Sequence, residues 1–192
     1  SDNFVIGTVY RKINDPERAE QFLTAAEALS PRSREVLLEL AALYEDMGRY
    51  DDSIRRIRTV YSNEPEDPSV NNFYGYILAV KGDSLEFAEE LIRNALDKDP
   101  GNGYYLDSLG WVKFRKGEFS DALKLLLAAA EVVVDDPVIW EHIGDTYMEL
   151  GQPGLALESY KRSAEADPDR PEIGDKVRQA GSAASRAERK VE

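Results

Sequence analysis

The chain reads as an all-α protein, a right-handed α-solenoid of about five helix-turn-helix units closed by a C-terminal capping helix, and three observations carry that reading. First, an apolar residue followed by a small one recurs as Ile6-Gly7, Leu40-Ala41, Tyr74-Gly75, Leu109-Gly110 and Ile143-Gly144. Second, two further small or short residues follow each pair at nearly constant spacing: Ala19 and Ala26, Ser53 and Val60, Ala88 and Ala95, Ala122 and Ala129, Ala156 and Ser163. Third, Asn14, Gly48, Gly82, Gly117 and Gly151 stand between them, and Pro31, Pro65, Pro100 and Pro168 close the units, with Val134 where one proline is missing.

The period is about 34 residues, which stacked helical hairpins show. One extra residue falls in the third unit, within Lys81 to Glu86. The units are expected at 1–33, 34–67, 68–102, 103–136 and 137–170, the first lacking its opening residue. In each, the first helix carries a small residue so that the second can approach and interlock its ridges. The central Gly or Asn tolerates the left-handed backbone that ends the first helix. The closing proline lacks an amide proton, disfavours helix in its predecessor, and turns the chain into the next unit.

After Pro168 the pattern decays. Residues 171–192 keep Ile173, Val177 and Ala180 on one side and Arg178, Arg186, Arg189 and Lys190 elsewhere, as a solvating end helix requires. Gly181-Ser182 and the charged tail predict fraying toward Glu192. Ser1 already lies inside a repeat, so further repeats, and any signal or lipid anchor, are expected ahead of it.

The period and these residue types, over nearly the whole chain, resemble the tetratricopeptide repeat family. Gly75-Tyr76, the inserted residue before Ala88, and Leu106-Asp107-Ser108-Leu109-Gly110-Trp111 are similar to repeat pairs of bacterial envelope tetratricopeptide proteins, several of them lipoproteins. The resemblance implies a scaffold that brings other proteins together at a bacterial envelope or periplasm, with cytoplasm the other compartment open to it.

In that family first helices line a concave groove. The resemblance places Phe4, Thr8 and Arg11, then Leu38, Ala42 and Glu45, on its inner surface, followed by Asn72, Phe73, Tyr76 and Ala79, by Asp107, Ser108, Trp111, Phe114 and Arg115, and by Glu141, His142, Asp145, Met148 and Glu149. Aromatics beside polar groups are the composition of an interaction hot spot. Asn72, Phe73, Tyr76, Asp107, Ser108, Trp111, Arg115, His142 and Asp145 are therefore the candidate partner-binding residues. Phe114 could equally pack against neighbouring helices. The family's carboxylate clamp needs Lys and Asn at inner positions, and here Asn72, Asp107 and Glu141 stand for Lys, and Tyr76 and Trp111 for Asn. A neutral or basic protein or peptide segment is the expected partner.

Other classes find little footing. A net charge of -13 repels nucleic acid, which needs clustered cations. No apolar run is long enough to span a bilayer, and with no cysteine there is no thiolate nucleophile or metal ligand. His142 is the only histidine, and a lone imidazole without an orienting base or nucleophile does not make a catalytic site. Asp51-Asp52 and Asp135-Asp136 read as helix caps, not calcium ligands. No catalysis, cofactor or metal is expected. A structural spacer or self-association module of a longer array is the alternative to a binding scaffold, and an enzyme or carbohydrate-binding module using Trp111 and nearby acids is a third reading. Gly101-Asn102-Gly103 reads as a relaxed joint at which the groove would open or close.

Overall fold

The computed structural model describes residues 2–189. Every regular element among them is a helix: α1 (Asp2–Lys12), α2 (Pro16–Leu29), α3 (Arg34–Asp46), α4 (Tyr50–Asn63), α5 (Pro68–Lys81), α6 (Leu85–Lys98), α7 (Gly103–Arg115), α8 (Phe119–Val132), α9 (Pro137–Glu149), α10 (Pro153–Ala166) and α11 (Pro171–Glu188). They form two compact units, Ser1–Ala95 and Leu96–Glu192.

Local chemistry sets where the helices start and stop. Asp67 accepts from the amides of Ser69 and Val70, Asn102 from Tyr104 and Tyr105, and Asp136 from Val138 and Ile139, so the orphan donors of α5, α7 and α9 are satisfied. Each such cap stabilises its helix by about 1 kcal/mol. Four of the hairpin turns place Gly48, Gly82, Gly117 and Gly151 at φ of 68°, 77°, 79° and 69°, and Asn14 takes φ 57° in the first. The second helices stop two residues before Pro31, Pro65, Pro100 and Pro168, whereas α8 stops before Val134 and the chain turns at Asp135, φ 59°.

Two local expectations change. Asp51 and Asp52 lie inside the first turn of α4 and cap nothing; Asp52 pairs with Arg49 and Arg55, and Asp51 with Lys81. In the Asp135-Asp136 pair only Asp136 caps. At Gly101-Asn102-Gly103 neither glycine has positive φ, and Asn102 is the cap of α7. Gly103 is instead a packing residue. A Cβ there would stand 2.5 Å from Cγ2 of Val133.

In the first unit, Ala19, Leu23 and Ala26 of α2 form one buried cluster with Val36, Leu40, Leu43 and Tyr44 of α3. Gly75 of α5 lets Ile92 and the carbonyl of Ala88 close in, 2.6 and 2.8 Å from where a Cβ would stand. Buried Ser53 replaces alanine in α4 and donates to the carbonyl of Ala41 at 2.8 Å, so its hydroxyl is not left unpaired in the core.

In the second unit, Ala122, Leu126 and Ala129 of α8 pack with Ile139 and Ile143 of α9. Ala156 and Tyr160 of α10 pack with Ile173 and Ala180 of α11. Burial of each aliphatic side chain contributes about 1.5–3 kcal/mol. The apolar side of α11 thus docks as a cap should, but the helix runs unbroken through Gly181-Ser182 to Glu188, because Ala180 remains buried and the turn after it continues the same stripe. The expected fraying at Lys190 to Glu192 lies outside the described residues.

Candidate functional site

On the first-helix side of the second unit, α7 and α9 bring three rings into one stack. Phe114 lies 4.6 Å from Trp111 with planes 6° apart, and Trp111 lies 4.1 Å from His142 with planes 16° apart. His142 is held from its edge: its Nδ1 sits 2.9 Å from Oδ1 of Asp107. The spacing explains the contact, since residues three and four apart on a helix share a face, and Asp107, Trp111 and Phe114 follow that spacing along α7.

The stack corrects the open strip expected from the sequence. Asp107, Ser108 and His142 are buried, so they lie beneath the surface. Trp111 stacks against both Phe114 and His142, is half-buried, and keeps its Nε1 buried with no hydrogen bond among the described residues. Phe114 packs as a core ring, meeting Phe119 edge-on at 5.4 Å. Burial lowers the His142 pKa, yet Asp107, with Asp145 and Glu141 behind it, outweighs burial and the net shift is upward. The Asp107 contact and the ring stack together fix α9 against α7.

The acidic end of the face is also not open. Lys176 of α11 reaches Glu141 at 2.7 Å and Asp145 at 2.6 Å, and Arg170 pairs with Glu141 and Glu172. Tyr160 donates its hydroxyl to Asp145 at 2.7 Å. Burial pushes the Glu141 carboxyl up, but Lys176 and Arg170 more than reverse it. The Lys176 ammonium is lowered by burial and raised further by its two carboxylates. Sequence reasoning assigned α11 to solvation alone and missed these cations; the i, i+4 pair Glu141 and Asp145 opposite a helix bearing Lys176 was the available signal.

The first unit places Asn72, Phe73 and Tyr76 on α5, all half-buried. The Oδ1 of Asn72 is buried without a hydrogen bond among the described residues. On the neighbouring first helices, Arg11 pairs with Asp46 at 2.7 Å and with Glu39 at 3.4 Å. Glu45 of α3 makes no ion pair among the described residues. Burial first, then the like charge of Asp46, pushes its carboxyl up to about 7 against the pull of Arg11. Nothing in the sequence distinguishes Glu45 from its neighbours, because the shift arises from packing.

Among the described residues no helix is long and apolar enough to cross a membrane. The chain resembles known proteins in both sequence and fold. A tetratricopeptide repeat protein of Pseudomonas aeruginosa is 29% identical over 67% of this chain and 22% of its own length. The anaphase-promoting complex subunit CDC16 of Saccharomyces cerevisiae is 27% identical over 88% of this chain and 21% of its own. The chain therefore spans about a fifth of these relatives. A tetratricopeptide protein of Thermus thermophilus superposes with a TM-score of 0.78 at 19% identity, covering 93% of this chain and 97% of that one. A type IV pilus biogenesis factor, PilW, gives 0.75 at 20%, covering 95% and 86%. Tetratricopeptide repeat models match residues 13–75 and 108–171. Two-thirds of the sequence thus carries the signature that the helical hairpins display in space, and the chain belongs to the tetratricopeptide repeat family.

Proposed function

We propose that this chain is a non-enzymatic scaffold that binds a protein or peptide segment along its first helices. Tetratricopeptide repeats mediate protein–protein interactions, and the finer reading is which side chains meet the partner. The observation that supports it is the Phe114–Trp111–His142 stack, which holds a partly exposed Trp111 rigid before any partner arrives. Preorganised aromatics lose little entropy on binding and supply hot spots.

In this reading Trp111 and Arg115 in the second unit, and Asn72, Phe73 and Tyr76 in the first, contact the partner, while Asp145 is held by Lys176 and Tyr160. Asp107, Ser108 and His142 act from beneath as positioning residues. Since Glu141 and Asp145 are already matched by Arg170 and Lys176, the second unit favours a neutral, apolar segment. In the first unit a cation beside Glu45 would offset the cost of burying its carboxylate.

Selection of peptides from a displayed library, followed by calorimetric titration of the recovered peptide, tests this. Trp111→Leu and Tyr76→Ala should each weaken binding at least about tenfold, which is the loss of one hot-spot residue, with helicity retained. Unchanged affinity in both variants, or recovery of no peptide at all, would overturn the assignment.

A further inference from the structure

The repeated register exposes one face that no helix covers among the described residues. Ile6 precedes Gly7 as Leu40 precedes Ala41, Tyr74 precedes Gly75 and Ile143 precedes Gly144; Val9 follows two places later, as do Leu43, Ile77 and Thr146. All six of those later residues are buried, none more than 5% exposed, whereas Ile6 is 38% and Val9 51% exposed. Val5, at 61%, and Ile13 just past the end of α1, at 64%, extend the open apolar stripe.

The molecule itself shows what covers this register. Leu40 and Leu43 of α3 cluster with Ala19, Leu23 and Ala26 of α2. Ile143 of α9 clusters with Ala122, Leu126 and Ala129 of α8, and Tyr74 of α5 meets Tyr61 of α4 edge-on at 5.6 Å. The covering helix carries a small, an aliphatic and a small or short residue at i, i+4 and i+7, as in Ala19/Leu23/Ala26, Ser53/Ile57/Val60 and Ala122/Leu126/Ala129. Small residues let the helix axes approach while the aliphatic side chain fills the groove between them.

We infer that the Val5/Ile6/Val9 face of α1, with Ile13 just past its end, is a docking surface for the second helix of a further repeat hairpin of this same kind. A second copy of the chain is the weaker occupant. The eleven residues of α1 rise only about 16 Å, and one helix face of that length falls short of the about 800 Å² per partner that a stable dimer buries. The surface is separate from the aromatic stack, and the inference holds or fails independently of the binding function proposed above.

A fusion tests it. Residues Arg34 to Pro68 placed directly ahead of Ser1 put Ser1 in the register of Ser69, so that α4 of the added hairpin meets α1 as it meets α5. Docking should raise the thermal midpoint by more than about 5 °C in one transition and protect the α1 amides from exchange. Val9→Glu should abolish that gain in the fusion while leaving the parent chain unchanged, since Val9 is half-exposed there. A fusion that melts no higher than the parent, or a gain that survives Val9→Glu, overturns the inference. So does a parent chain whose mass by light scattering rises with concentration and falls back with Val9→Glu, because a second copy would then be the occupant.

Discussion

Gly144 offers the sharpest test of how these hairpins are held. Its place on α9 faces Tyr160 of α10, and a Cβ there would stand 2.4 Å from Cε1, 2.5 Å from Cδ1 and 2.9 Å from Cζ of that ring. In the other units an aliphatic residue occupies the facing position, as with Leu23 below Gly7 and Leu126 below Gly110. An aliphatic chain can change rotamer; a ring moves as one body. Tyr160 is also tied at its far end, where its hydroxyl donates to Asp145 at 2.7 Å, and Asp145 in turn holds Lys176. Gly144→Ala must therefore push the ring outward and break or lengthen that bond. Overpacking costs about 1–3 kcal/mol and the lost hydrogen bond about 1 kcal/mol, while replacing a helical glycine by alanine returns about 0.5–1 kcal/mol. The net loss is about 1–3 kcal/mol, or a midpoint lower by about 2–12 °C in a chain of this size. Thermal and urea unfolding followed by circular dichroism measure it. Pairing Gly144→Ala with Tyr160→Leu, which restores the aliphatic slot, should recover part of the wedge cost. A Gly144→Ala protein as stable as the parent would refute the close-approach argument.

The remaining predictions concern single side chains. Gly103→Ala should destabilise by about 1–3 kcal/mol through its clash with Val133, while Gly101→Ala, with nothing within 4 Å of its Cβ, should be neutral or slightly stabilising; parallel urea melts compare them. Because the His142 pKa is raised in the folded state above its ordinary 6.5, its contribution to stability is fully present below pH 6.5 and is lost as pH rises through the folded value. His142→Gln should flatten that part of the stability–pH curve measured by urea midpoints. Glu45 has the opposite sense for an acid: its carboxyl is pushed up to about 7, so the ionised form costs stability above that pH and the cost fades as pH falls toward 4.5. Glu45→Gln should therefore stabilise at pH 8 by on the order of 1–3 kcal/mol and have no effect at pH 4, by the same unfolding assay.

Much of the candidate site was visible along the chain. The recurrence of small residues, with Gly or Asn at each turn, marks Trp111, Arg115 and Asp145 as belonging to first helices, since helix faces follow from spacing of three and four. Spacing does not say whether a position on that face is covered. Asp107 and His142 looked like open polar groups and are buried against each other, because the contact joins residues 35 apart, on two first helices. Glu141 and Asp145 looked like an acidic end and are neutralised from α11, a contact that depends on how the last helix docks. Glu45 looked ordinary and is perturbed by burial.

The sequence by itself determined the helical hairpin, its length and its turns, because a missing Cβ, a left-handed glycine and a proline without an amide proton act on their own few residues wherever they occur. Only the tertiary structure decided which rings stack, which acids find cations and which apolar faces stay open. Those outcomes depend on distances between side chains far apart in the chain, and burial, charge pairing and ring contact all change steeply within a few ångströms.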